Sequence, residues 1–108
     1  MTWQSSKSAI EAILATQPAD QQFHYPIRHG TMRVGLYAPK VFDDQAPHDQ
    51  DELYIIASGT GWFVKGEDRV AFAPHDVLFV EAGIEHRFEG FSDDFSTWVV
   101  FWGPRGGE

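Results

Sequence analysis

With no cysteine in the chain, its chemistry must come from five histidines, sixteen Asp and Glu side chains and the aromatic hydroxyls. Disulfides, thiolate metal sites and cysteine nucleophiles are excluded together. Two stretches concentrate polar donors against apolar runs. One is Pro47-His48-Asp49-Gln50-Asp51-Glu52, directly before Leu53-Tyr54-Ile55-Ile56; the other is Glu81-Ala82-Gly83-Ile84-Glu85-His86-Arg87-Phe88. His48, Gln50, Glu52, Tyr54 and Ile56 share parity, so an unbroken strand puts His48 and Glu52 on one face. Four residues of straight strand span about 13 Å, too far for two side chains to share an ion held at about 2.1 Å. The pair can converge only if the chain turns between them, and Asp49-Gln50-Asp51 has turn composition. His86 would then arrive from a distant strand. Two histidines and a carboxylate on one point are the ligand set of a mononuclear iron, manganese, nickel or zinc site with open positions.

Each residue also has an ordinary reading. His86 taken alone is a buried histidine bonded to a carbonyl, and Glu52 alone is a surface carboxylate. Yet Glu52 shares the face of Tyr54 and Ile56, and a buried carboxylate needs a cation or hydrogen-bond donors. Asp49 and Asp51 read as solvated turn residues, His75 and Glu81 as rim residues. His24 and His29 carry no spacing signal. Trp62, Phe79, Phe88 and Trp98 read as core. Tyr54, Gln50 and His75 are candidates for an acid, a base or a hydrogen-bond donor wherever they reach a cavity.

The elements that must position these groups are mostly strands. Only one helix is credible: Ser8-Ala9-Ile10-Glu11 has the form of a capping box, Ile10, Ile13 and Leu14 share a face, and Pro18 stops it. From Thr31 onward short β-compatible runs alternate with turns: Thr31–Tyr37, Leu53–Ala57, Trp62–Val64, Arg69–Phe72, Val77–Val80, His86–Phe91 and Phe95–Trp102. That rhythm predicts an all-β sandwich or barrel. The organisation expected is a helix and lead-in over 1–30 and a barrel over 31–108, with the tail Gly103–Glu108 frayed. Phe95–Trp102 is apolar on both faces and Val77–Val80 is apolar throughout, so something must cover their outer side. With four Trp and nine Phe in 108 residues, a second copy of the chain is expected to cover part of it.

A net charge of −8, from eight Lys and Arg against sixteen Asp and Glu, excludes a nucleic-acid footprint and disfavours an anionic membrane surface. No apolar run approaches the roughly 20 residues that span a bilayer. A soluble cytoplasmic protein is the expectation.

The order of motifs adds a resemblance. His48, Glu52 four residues on, and Gly59 after six more resemble the first motif of the cupin superfamily. Asp76, Gly83 and His86 resemble the second, and the stretch between them has the expected length. The match covers about residues 31–102 and resembles small single-domain cupins with a Pro-His-x-x-Asp-Glu first motif. It implies a double-stranded β-helix, or jelly-roll barrel, with a divalent metal inside, a small-molecule ligand or substrate and a homodimeric state. Carried over residue by residue, the ligands are His48, Glu52 and His86. Ala46 stands where the family usually has another histidine, His75 where it has a glycine, Glu81 a proline and Gly90 an asparagine. A three-ligand site suits a metal-dependent oxygenase, isomerase or lyase, since open positions are needed for substrate. It equally suits a non-catalytic ligand- or metal-binding module, or a metal-free structural dimer. An open, partly polar cavity at the site would favour chemistry.

Overall fold

The computed structural model describes residues 2–43 and 45–108. One helix, α1 (Lys7–Leu14), precedes eight strands: β1 (Phe23–His29), β2 (Met32–Tyr37), β3 (Asp51–Ser58), β4 (Gly61–Lys65), β5 (Asp68–Phe72), β6 (Val77–Val80), β7 (His86–Glu89) and β8 (Ser96–Trp102). They form a five-stranded sheet in the order β1-β2-β8-β3-β6 and a three-stranded sheet in the order β5-β4-β7. Neighbouring strands in both sheets pair antiparallel. Side chains from both sheets meet in one buried cluster: Tyr54, Ile56, Val80, Val99 and Phe101 from the larger sheet, Phe63, Phe72 and Phe88 from the smaller. This two-sheet jelly roll is the architecture that the alternating strands predict.

Local rules place the strands closely. In β3 the two-residue period of a strand sends Glu52, Tyr54 and Ile56 inward, while Leu53 and Ile55 face out half-buried. In β7 the same period turns His86 and Phe88 in and Arg87 out.

Several expectations require correction. A strand, β1, lies within the segment read as a lead-in; Pro26 and the polar residues around it hide its period. It also carries a register shift between His24 and Ile27 opposite β2, so simple alternation fails there. The helix is capped by Ser6, not Ser8. The Ser6 hydroxyl accepts from the Ala9 amide at 3.1 Å, and Glu11 pairs with Lys7 at 3.0 Å instead of reaching back. Ile10 and Leu14 are buried but Ile13 is 40% exposed. The C-terminal segment is docked rather than frayed: Gly103 and Gly106 donate to Thr31 and to the Asp49 carbonyl, and the Glu108 amide donates to Asp51. Asp51 is consequently buried rather than solvated, accepting also from the Ala82 amide at 2.9 Å. These two backbone donors hold its carboxyl below the usual range.

The outer face of the larger sheet is covered at one end only. Leu36, beneath Ile10 and Leu14 of α1, is fully buried, and Trp98 packs against the same cluster. At the β6 edge, Val77 and Phe79 remain 59% and 44% exposed. Phe79 is therefore a surface residue, not core. So is Trp62, whose indole lies under the Arg69 guanidinium at 3.9 Å.

Candidate metal centre

Glu52 and His86 come from opposite sheets, β3 and β7, and point into the gap between them. Glu52 Oε1 lies 2.8 Å from His86 Nε2 and 3.8 Å from His48 Nε2. His48 sits just before β3, where the chain bends at Asp49 and Gln50. That bend supplies the turn which the reach argument demands. The His48 carbonyl accepts from the Gly83 amide at 2.8 Å, so the loop before β7 grips the segment before β3. Gly83 has φ +82°, a left-handed conformation that glycine adopts without strain. The three side chains thus converge with ligand atoms within 4.8 Å of one another. Atoms sharing one first-row ion at about 2.1 Å stand at most about 4.2 Å apart, so only a small contraction separates the cluster from a closed site.

The neighbours define what these groups can do. His86 Nδ1 lies 2.8 Å from the Ile84 carbonyl, which can only accept, so the proton belongs on Nδ1. This leaves Nε2 of the neutral ring free to face Glu52, the orientation that a metal-binding histidine needs. Burial, the largest single influence, pulls the His86 pKa down, but the close approach of the Glu52 carboxylate and the Ile84 carbonyl outweighs it, and the net shift is upward. For His48 burial wins, and its pKa is lowered despite Glu52. Glu52 itself is 1% exposed, and neither carboxylate oxygen has a properly aligned hydrogen-bond donor among the described residues. His86 Nε2 is near enough, but with the proton on Nδ1 it has none to donate. An anion in such a position calls for a cation.

Two residues outside the motifs, Asp43 and Gln45, complete the surroundings. Asp43 accepts from the Tyr37 hydroxyl, from the Gln45 side chain and from the Phe88 amide, at 2.6, 2.7 and 2.8 Å. It thereby fixes the Gln45 amide, whose Oε1 lies 2.8 Å from His48 Nε2 and 3.3 Å from the Tyr54 hydroxyl. That hydroxyl is also 3.0 Å from His86 Nε2. Burial, then the charge of Glu52, push the Tyr54 pKa well up, and push that of Tyr25 up to about 12. Both phenols therefore stay protonated. The sequence offered only one signal for Asp43 and Gln45, their position just ahead of Pro47-His48.

Of the auxiliary candidates, Tyr54 reaches the site. Gln50 does not: its Nε2 donates to the Thr31 and Gly103 carbonyls and its Oε1 accepts from Arg33. His75 is exposed at a turn, and Glu81 is an exposed partner of Lys65. A cavity of about 300 Å³ opens onto the cluster, lined by His48, Glu52, Gln45 and Tyr54, by Arg33, and by an aromatic wall that includes Phe23, Tyr25 and Phe101.

Two facing antiparallel sheets with a His–Glu–His cluster between them give the chain the cupin fold, a jelly-roll barrel. The chain shares a family with the uncharacterized protein SCO3923 of Streptomyces coelicolor, to which it is 39% identical over 80 residues, covering 72% of this chain and 76% of that one. Among solved structures it is similar to a cupin 2 conserved barrel domain protein from Salinispora arenicola (TM-score 0.65, 20% identity, 95% and 89% of the two chains). It is also similar to a cupin superfamily protein from Desulfitobacterium hafniense (TM-score 0.62, 17% identity, 76% of each chain). No protein-family model matches the sequence. Among the described residues no helix is long and apolar enough to cross a membrane.

Proposed function

We propose that the chain is a metal-dependent enzyme acting on a small organic molecule, holding one iron, manganese, nickel or zinc ion through His48, Glu52 and His86. The observation that carries this reading is Glu52, a carboxylate buried between two imidazoles with both oxygens lacking an aligned donor. Gln45, whose Oε1 lies 2.8 Å from His48 Nε2 and 3.3 Å from the Tyr54 hydroxyl, stands one residue ahead of Ala46, where the family usually places a histidine. When bound, the ion supplies a Lewis acid or a redox centre. Around it, Tyr54 holds a proton next to the cluster, Asp43 keeps Gln45 oriented, and the aromatic wall limits water. The cavity that opens onto the donors supports chemistry over a purely structural role.

Elemental analysis of the purified protein tests the reading. One transition-metal ion per chain is expected, and its removal by chelation should lower the melting temperature reversibly. A protein that holds no metal, and gains no thermal stability from added iron(II), manganese, nickel or zinc, would overturn it.

The same reading includes a homodimer formed through the outer face of β6, β3 and β8. Its support is the exposed pair Val77 and Phe79 on an edge strand, continuous with half-buried Leu53, Ile55, Val100 and Trp102. Light scattering should report twice the chain mass of 12.2 kDa, and one chain mass for a Val77→Ser/Phe79→Ser double variant. A monomeric wild type at micromolar concentration refutes this part alone.

A further inference from the structure

The cavity holds one cation whose position neither the fold nor the metal cluster explains. Arg33 lies on β2, opposite Phe101 of β8, and shares the cavity wall with His48 and Glu52. Its guanidinium has five N–H donors. The structure spends one of them on a side chain, Nη2 to Gln50 Oε1 at 3.0 Å, and no carboxylate pairs with Arg33 among the described residues.

The arginine is nevertheless held in place. Gln50 is clamped through its Nε2 by the Thr31 and Gly103 carbonyls, which aims its Oε1 at Arg33. The guanidinium carbon sits 4.4 Å from the centre of the Phe101 ring and 5.7 Å from that of Tyr25. An ordered, half-buried guanidinium with most of its donors unspent is built to receive an anion, and its planar fork matches a carboxylate. The walls beside it, Phe23, Tyr25 and Phe101, suit a flat apolar body.

We infer that Arg33 is the anchor for the ligand of this cavity, and that the ligand is a small carboxylate with a planar apolar body, its other end directed at the His48–Glu52–His86 cluster. The inference rests on the metal reading for its charge balance: a divalent ion offsets Glu52, while Asp43 is committed to Tyr37, Gln45 and the Phe88 amide, which leaves Arg33 as the cationic group at the lining beside Asp20. Gln50 is a positioning residue for Arg33, which explains why a side chain in register with the cluster points away from it.

Titration with benzoate and with its neutral counterpart benzamide tests the assignment, followed by calorimetry or ligand-observed NMR. Metal content is measured on the same samples. Wild-type protein should bind benzoate at least about tenfold more tightly than benzamide. The Arg33→Met variant should lose that preference while keeping the wild-type metal content, and Arg33→Lys, which preserves charge and stem, should recover only part of it. Equal binding of the two probes, no binding of benzoate, or an Arg33→Met variant with unchanged benzoate affinity each overturns the inference. If the wild type takes up no metal, the metal reading has failed separately. The same titration on metal-free protein still decides the role of Arg33: an Arg33-dependent preference for benzoate supports it, and none refutes it.

Discussion

The His86→Ala variant is expected to lose the metal and all of the thermal stabilisation that metal confers. His86 Nε2 is aimed at the cluster because Nδ1 is tied to the Ile84 carbonyl, and the ring is fully buried. For the wild type, an ion present at about 100 times its dissociation constant adds about 2.7 kcal/mol. In a domain of this size that corresponds to roughly 10–20 °C in melting temperature. The variant should shift by less than about 2 °C under the same conditions. Glu52→Gln separates charge from packing. With chelator present it removes a buried carboxylate lacking aligned donors, so its melting temperature should equal or exceed that of the wild type, by up to about 1 kcal/mol in stability. With metal present it should fall behind, because an amide is a poorer ligand than a carboxylate. That reversal of order is the signature sought in parallel thermal melts. A Glu52→Gln variant that is less stable in chelator, together with equal metal responses in all three proteins, would identify the cluster as a hydrogen-bonded part of the core.

Gly35→Ala should be among the most damaging single-methyl changes in the molecule. A Cβ at Gly35 would stand 2.0 Å from the His24 carbonyl oxygen and 2.6 Å from both Cα and Cδ1 of Tyr25. Two of these atoms are backbone and cannot swing aside, so β1 would have to leave β2. The register shift between His24 and Ile27 lies here, and it brings Tyr25 over the Phe101 edge at a centroid distance of 5.7 Å. Gly35 therefore supports the cavity wall as well as the sheet. The expected cost is about 3 kcal/mol or more, a large share of the 5–15 kcal/mol typical of a domain. Gly66→Ala is the control. It meets nothing within 4 Å, and its only penalty is a φ of +58°, so about 1 kcal/mol is expected. Urea unfolding of metal-free protein measures both. A Gly35→Ala midpoint within error of the wild type would show that β1 does not pack as described.

Much of this was legible before any coordinates. Strands β2 to β8 fall where runs of alternating or continuous apolar residues stop at Gly, Pro and Asp, since side-chain period and turn chemistry are local properties. The bend at Asp49 and Gln50 was legible too, by a less direct route. His48 and Glu52 share a face but are too far apart on a straight strand, so convergence and a turn imply one another. What stayed hidden had non-local causes. The bulge in β1 breaks its period. The burial of Asp51 comes from the amides of Ala82 and Glu108, residues distant in sequence. The engagement of Gln45 depends on Asp43, which is held in turn by Tyr37 and Phe88. Gln50, by composition a candidate for the site, is drawn off by two carbonyls and an arginine.

The donor types, the strand rhythm and the phase that turns Glu52, Tyr54, His86 and Phe88 to the interior are written locally in the chain. These follow from the absence of thiols and from a two-residue period that each strand expresses alone. Folding adds that Glu52 on one sheet and His86 on the other stand 2.8 Å apart, that Glu52 lacks aligned donors among the described residues, and that Arg33 faces the same cavity with most of its donors unspent there. Such distances depend on how two sheets stack and how their loops interlock. That packing minimises exposed apolar area over the whole chain, and no window of sequence contains it.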